Sequence, residues 1–179
     1  RLKKGYCIYS MYFSEVKNCD IANGPGVRVS LFVSGCTHHC KGCFNEMTWD
    51  FEYGRPFTKE DEERILGMLE PDYITGLTLL GGEPLEHVNQ QGLLPLLREI
   101  KKRFPDKSIW CYTGYTFEKD VLDTFCSQFS ETREFLDYLD VLVDGEFQLD
   151  KKNISLRFKG SENQRIILVR ESLKCGKTV

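Results

Sequence analysis

The chain has 179 residues, 41% of them apolar, which suits one compact domain with a sizeable core. Its formal charge of −3 and pI near 5.7 offer nothing to a nucleic-acid backbone, and no apolar run approaches the roughly 20 residues of a membrane span. Eight cysteines raise the question of secreted disulfides. However, no signal-peptide-like apolar region precedes Cys7 and the core needs no staples, so a reduced, cytoplasmic protein is expected.

Residues 1–22 mix polar and aromatic side chains without a clear period and read as a lead-in with at most a short strand. Cys7 and Cys19 lie here and are expected to be small packed hydrophobes. Asn23-Gly24-Pro25-Gly26 is a turn by composition. It launches an apolar strand, Val27–Ser34, which delivers Gly35 and then the loop Cys36-Thr37-His38-His39-Cys40-Lys41-Gly42-Cys43 at its C-terminal end. Arg28, inside that strand, either pairs with a carboxylate in the interior or faces solvent.

Thr58 reads as a helix N-cap with Asp61 three residues on. Ile65, Leu66, Met68 and Leu69 supply that helix with one apolar face, and Pro71 ends it. A strand over Gly76–Leu80 runs into Gly81-Gly82-Glu83-Pro84. The next helix carries Leu93, Leu96, Leu97, Ile100 and Phe104 on one side, has basic residues 101–103 in its last turn, and closes at Pro105. Ser108–Tyr112 is a strand ending in Thr113-Gly114-Tyr115. Helical stretches over Phe117–Phe125 and Glu131–Leu139 precede a strand Val141–Val143, which ends in Asp144-Gly145. A last strand is expected at Ile166–Val169. Strand and helix alternate about four times, a pattern that predicts a parallel α/β sheet. There are too few units for a closed barrel, so a partial, open (β/α) barrel is expected.

Charge is uneven along the chain. Residues 151–179 hold eight Lys/Arg against two Asp/Glu, a net +6 that leaves −9 for residues 1–150. The basic stretch is either a solvated tail or a docking surface for an acidic partner.

Three cysteines in eight residues look like a metal or cluster site. Iron–sulfur clusters are normally held by four thiolates. Three would leave one iron of a [4Fe-4S] cube free to bind a small molecule. Structural zinc, with His38 or His39 as fourth ligand, competes, although the chain has no second CxxC and His87 is its only other histidine. A low-pKa redox thiol pair beside Lys41 also competes, without explaining three cysteines. His38 or His39 is a candidate for a hydrogen bond behind the cluster. Gly81 and Gly82 at a strand end let backbone approach a ligand, and Glu83 beside them suits an ammonium group; an ordinary strand-to-helix turn is the alternative. Asp144 either binds a ribose or the partner, or is a turn aspartate bonded to its own backbone. Thr113 and Tyr115 sit at a strand end beside this site. Asn163 and Gln164 have no role readable from the sequence, and Cys111, Cys126 and Cys175 read as structural or incidental.

The CxxxCxxC loop after one strand and the GGE motif after the next resemble the radical S-adenosylmethionine (SAM) superfamily. Asn-Gly-Pro-Gly-Val-Arg at 23–28, Phe-Val-Ser-Gly-Cys at 32–36 and Gly-Cys-Phe-Asn at 42–45 are similar to glycyl-radical-enzyme activases. Thr48-Trp49, Trp-x-Tyr-Thr-Gly-Tyr at 110–115, Leu-Val-Asp-Gly at 142–145 and Gly-Ser-Glu-Asn-Gln-Arg at 160–165 resemble the activases that serve anaerobic ribonucleoside-triphosphate reductase.

The resemblance implies a radical SAM type of open barrel. It also implies that Cys36, Cys40 and Cys43 bind a [4Fe-4S] cluster whose open iron takes the amine and carboxylate of SAM, with Gly81, Gly82 and Glu83 facing the amine. Most members carry an aromatic residue just before the third cysteine. This chain has Gly42 there and Phe44 just after, which leaves open which group supports the adenine. Glu83 stands where the subfamily often has Asp. The implied reaction is reductive cleavage of SAM to methionine and a 5′-deoxyadenosyl radical, which takes a hydrogen from a glycine of the partner reductase. A flavodoxin-type electron donor is implied as well. On this reading residues 1–22 precede an activase domain over 23–170, with a basic tail at 171–179. Within this superfamily the alternative is an activase of another glycyl radical enzyme or a small-molecule enzyme with the same core; outside it, the alternative is a zinc-binding interaction module without catalysis.

Overall fold

The computed structural model describes residues 10–179, so Cys7 lies outside the described residues. In chain order the elements are β1 (Tyr12–Asp20), β2 (Val27–Val33), a short 3-10 turn (Glu46–Trp49), β3 (Arg55–Pro56), α1 (Lys59–Leu69), β4 (Ile74–Gly81), α2 (His87–Arg103) and β5 (Ser108–Tyr112). A wide helical stretch, Phe117–Phe125, then runs into α3 (Cys126–Gln128) and α4 (Ser130–Tyr138). The chain ends with β6 (Val141–Asp144), β7 (Arg165–Leu168) and α5 (Val169–Cys175).

The strands form one seven-stranded sheet in the order β3-β1-β2-β4-β5-β6-β7. Its centre is parallel: β2 pairs with β4, β4 with β5, and β5 with β6. Its margins are antiparallel: β1 pairs with β2, β3 with β1, and β7 with β6. The sheet is therefore α/β and open, as expected, but mixed instead of wholly parallel. The lead-in contributes nine residues of strand where at most a short one was expected. Exposed Glu15, Lys17 and Asn18 interrupt the apolar alternation of β1, and two register shifts break its pairing with β2.

Two-residue periodicity divides the strands between two interiors. Val29, Leu31 and Val33 of β2, Leu77 and Leu79 of β4, Ile109 and Cys111 of β5, and Leu142 of β6 enter the main core. The helices supply the other half of that core and pack in the sequence α1-α2-α4-α5. Leu93, Leu96, Leu97 and Ile100 of α2 are all fully buried, on the face their spacing predicts. Thr58 and Asp61 form a reciprocal capping box that starts α1, a device worth about 1 kcal/mol.

The opposite face of the sheet is partly polar. Trp110, Val141 and Val143 form a small cluster there with Tyr112 and Phe158, beside buried Arg28, Ser30 and Thr78. Arg28 meets neither sequence expectation, since it is 1% exposed and makes no ion pair with a carboxylate among the described residues. Its guanidinium donates to Thr78 Oγ1, Leu77 O, Ser108 O and Ser108 Oγ at 2.8–2.9 Å and lies 5.8 Å from the Trp110 ring. Burial pulls its pKa down to about 10. Neutral oxygens from two neighbouring strands, β4 and β5, thus satisfy the charge of this β2 side chain and tie the open side of the sheet together.

The C-terminal segment is folded, not frayed: α5 ends at a left-handed Gly176, and the Leu168 amide donates to the Val179 carbonyl at 2.8 Å. Among the described residues no helix is long and apolar enough to cross a membrane.

Candidate functional site

The parallel strands β2, β4, β5 and β6 all end on the same side of the sheet, the usual place for a ligand in α/β folds. An open cavity of about 210 Å³ lies there. Cys36, Cys40, Cys43, Phe44, Gly81, Gly82 and Glu83, each singled out in the sequence, all line it. Thr113 and Gly114 join them from the end of β5, and Gly145 from the end of β6. Gly42 carries the loop between Cys40 and Cys43 and is itself exposed.

The cysteine loop is fastened at several points. Cys36 is buried and its amide donates to Trp49 O at 3.2 Å; Gly35 N donates to Thr48 O at 2.8 Å. Glu86, at the start of α2, accepts from Thr37 N at 3.0 Å and from Thr37 Oγ1 at 2.7 Å. His38 Nε2 lies 3.0 Å from Glu83 Oε2, and its ring packs 4.3 Å from that of Tyr115. His39 stacks on Trp49 at 4.5 Å. Both histidines are therefore engaged by the protein. His87 stacks on Phe129 at 3.9 Å and does not line the cavity.

Glu83 is the hub of the site. It is 1% exposed. Oε1 accepts from Leu85 N at 2.9 Å, and Oε2 accepts from Gly114 N at 2.8 Å and approaches His38. One carboxylate thus joins the cysteine loop to the β4 and β5 ends. It offers about four acceptor positions, so one remains after these bonds. Burial opposes protonation of His38, but the bond to Glu83 and the charges of Glu83, Glu146 and Glu86 outweigh it and raise the imidazole pKa.

Burial pushes the Cys36 thiol up to about 12, opposed by the amides of His38 and His39 that point at its sulfur. Cys40 rises to about 11 through burial and the nearby Glu146, to which it donates at 3.5 Å. Neither behaves as a low-pKa redox thiol, because near neutrality almost no thiolate is present. Protons would leave only in exchange for a metal centre. Among the described residues no three Cys, His, Asp or Glu side chains converge as a single-ion site. The three sulfurs line the wall of the cavity.

Backbone geometry explains two glycines. A Cβ on Gly82 would lie 2.6 Å from Gly35 O and 2.9 Å from Thr48 O, so only glycine lets β4 end against the cysteine loop. Gly42 has φ +75°, and a Cβ there would meet the Leu149 side chain at 2.9 Å. Leu149 thus packs directly against the cysteine loop at Gly42. The aromatic wall of the cavity is built by exposed Phe44, with Phe147 at 5.5 Å, and by Trp49. Phe147 and Glu146 were not singled out in the sequence, and Trp49 entered only as part of the Thr48-Trp49 resemblance. Phe147 and Glu146 directly follow Asp144-Gly145, and that position past a parallel strand end was the available signal.

The remaining candidates have other partners. Asp144, 1% exposed, accepts from Phe117 N at 2.8 Å and from Arg165 Nε at 2.9 Å and Nη2 at 2.5 Å. It is neither a free ligand nor a turn aspartate bonded to its own backbone. Tyr115 OH lies 3.3 Å from both Thr37 Oγ1 and Glu86 Oε1. Gln164 Nε2 donates to Gly145 O at 2.9 Å while its Oε1 accepts from Gly160 N at 2.8 Å, and Asn163 Nδ2 donates to Glu146 O at 2.8 Å. These two side chains fix the segment after β6 beside the cavity. Cys19 is exposed, contrary to its expected packing, as is Cys175, whereas Cys111 and Cys126 are buried.

Comparison with known proteins agrees with this geometry. Residues 22–167 match the model of a family described as a 4Fe-4S single cluster domain. A protein of Pasteurella multocida is 46% identical over 158 residues, covering 87% of this chain and 96% of the relative. One of Enterobacteria phage T4 is 40% identical over 158 residues, with 87% and 93% covered. One of Escherichia coli K12 is 41% identical over 156 residues, with 86% and 96% covered. All three bear the name anaerobic ribonucleoside-triphosphate reductase-activating protein.

Proposed function

The chain belongs to the family of anaerobic ribonucleoside-triphosphate reductase-activating proteins, with their 4Fe-4S domain, and from that premise we propose that it activates its reductase as a radical SAM enzyme. Cys36, Cys40 and Cys43 are the proposed ligands of a [4Fe-4S] cluster, leaving one iron for the amine and carboxylate of SAM. With a reduced cluster and SAM bound, the site would supply a 5′-deoxyadenosyl radical, which takes a hydrogen from the α-carbon of one glycine in the reductase.

The observation that carries this reading is the composition of one cavity: three thiols, with no fourth among the described residues, and glycine backbone at the ends of three parallel strands. The residues fit the group on other grounds as well. Trp49, in the cavity wall, has a buried indole N–H without an acceptor among the described residues. That leaves a donor for a bound polar group, since buried donors are rarely left unpaired.

The protein's own residues bind, orient and exclude. Gly81 and Gly82 bring main-chain groups to the cavity wall without side chains in the way. Glu83 holds the cysteine loop through His38, and its remaining acceptor position would be available to the ammonium of SAM. Phe44 and Phe147 supply the apolar surface for the adenine. The cavity is open on one side, which allows a macromolecular glycine to enter. A cytoplasmic location and a flavodoxin-type reductant complete the proposal.

The test is to mix the anaerobically reconstituted protein with reductase, SAM and dithionite, and to look for a glycyl radical by electron paramagnetic resonance. The expected result is a radical on the reductase with wild type and none with Cys36→Ala, Cys40→Ala or Cys43→Ala. A radical formed undiminished by any of the three variants would refute the ligand assignment.

A further inference from the structure

We propose that the loop from Glu146 to Ser161 is the docking surface for the reductase, and that it meets a segment carrying both acidic and apolar side chains. The proposal rests on the function given above and adds where the partner sits and what chemistry it presents. Four observations lead to it.

The loop borders the cavity mouth. Phe147 and Gly160 line the cavity. Leu149 fills the space beside Gly42, and Lys152 Nζ sits 4.8 Å from the Phe44 ring. A partner glycine entering the cavity must pass this rim.

The loop is also built, not slack. Lys152 and Ser161 form a bridge, and Glu162 N donates to Lys151 O at 2.9 Å. Phe158 anchors the far side by packing on Trp110 at 5.5 Å. Ser161 is fully buried and its hydroxyl accepts from Gln148 N at 3.2 Å.

What it presents is apolar. Ile154 is 93% exposed at its tip. Phe44 on the cysteine loop is 68% exposed and Leu149 is 43% exposed. Ordered display of such side chains around a site is the usual mark of an interface.

The charge is unpaired. Lys151, Lys152, Arg157 and Lys159 make no ion pair among the described residues, whereas Arg165 binds Glu118 and Asp144, and Arg170 binds Asp140. The segment 149–162 carries four Lys/Arg against two Asp/Glu, in a protein whose residues 1–150 carry −9. Free cations on an otherwise acidic surface steer an acidic partner to this place. An electron donor is the other protein that must visit. It has no need of the cavity mouth, because electrons do not require the open side, and this favours the reductase as occupant.

The test uses the reconstituted holoprotein and the cognate purified reductase. Lys151→Glu/Arg157→Glu and Ile154→Asp change exposed side chains outside the cavity. Both should therefore form 5′-deoxyadenosine from SAM with dithionite, in the absence of reductase, at the wild-type rate. Affinity for the reductase should fall about tenfold or more in each. The charge variant's deficit should shrink as salt rises, since screening acts on exposed charges, and the Ile154→Asp deficit should persist. Wild-type affinity in both variants would overturn the proposal. So would normal dithionite-driven glycyl-radical formation alongside loss of radical formation with a protein donor, which would assign the loop to the donor. If wild type itself failed to cleave SAM, the functional reading would fall, while the affinity measurement would still decide the docking surface.

Discussion

At the scale of single residues the site depends on Glu83. Three donors from three segments converge on a carboxylate that is 1% exposed: Leu85 N, Gly114 N and His38 Nε2. Buried acceptors of this kind are costly to replace, because their donors are left without partners. Glu83→Gln puts an amide nitrogen among groups that only donate or are oriented to donate. We expect it to destabilise the cluster-free protein by about 1–3 kcal/mol in urea titration, and to weaken SAM binding as the cysteine loop loses its tie. Unchanged stability would mean that the hydrogen-bonded hub does not hold the loop. The sequence pointed to Glu83 as a group facing an ammonium, but its role as a link between three strand ends depends on His38 and Gly114. Those lie 45 and 31 residues away in the chain, a proximity that no local pattern encodes. Arg28 illustrates the same limit. A charged residue in an apolar strand read as paired or solvated, because the neutral oxygens that satisfy it come from β4 and β5.

At the scale of elements, two loops pack on one another at Gly42. Gly42 adopts φ +75° beside Leu149, so the cysteine loop and the loop after β6 are mutually fitted. Gly42→Phe is expected to destabilise the protein, with backbone strain alone costing about 1–2 kcal/mol, and to lower iron uptake on reconstitution. A variant as stable as wild type with full iron would show that the fit of Gly42 to Leu149 does not hold the two loops together. Periodic elements were the most legible part of the chain. The box at Thr58 and Asp61, the apolar face of α2 and the extent of β5 follow from local pattern, and each is present. The antiparallel margins were not legible. β1 is masked by exposed charges, and β7 differs from a parallel strand only in a direction that its four residues do not reveal. Around the cavity, the cysteines and the GGE motif announce themselves by spacing, whereas Trp49 and Phe147 reach it only through tertiary placement, as Glu146 reaches Cys40.

At the scale of the whole molecule, an open sheet gathers chemistry-bearing residues at the C-terminal ends of β2, β4, β5 and β6, and leaves one side of the cavity accessible. The main core lies between sheet and helices, away from this face, so stability and site are largely separate. The proposed function gives this arrangement a reason, since the proposed substrate is a residue of another protein that must enter the cavity. The account stands or falls on whether three thiols hold a cluster with one iron open to SAM. The most direct measurement is the electron paramagnetic resonance spectrum of the anaerobically reconstituted, reduced protein before and after SAM is added, with 5′-deoxyadenosine assayed in the same sample. The account predicts a cluster signal that changes shape on addition of SAM, with release of 5′-deoxyadenosine. A cluster signal indifferent to SAM, or a colourless protein that binds zinc at Cys36, Cys40 and Cys43, would contradict it.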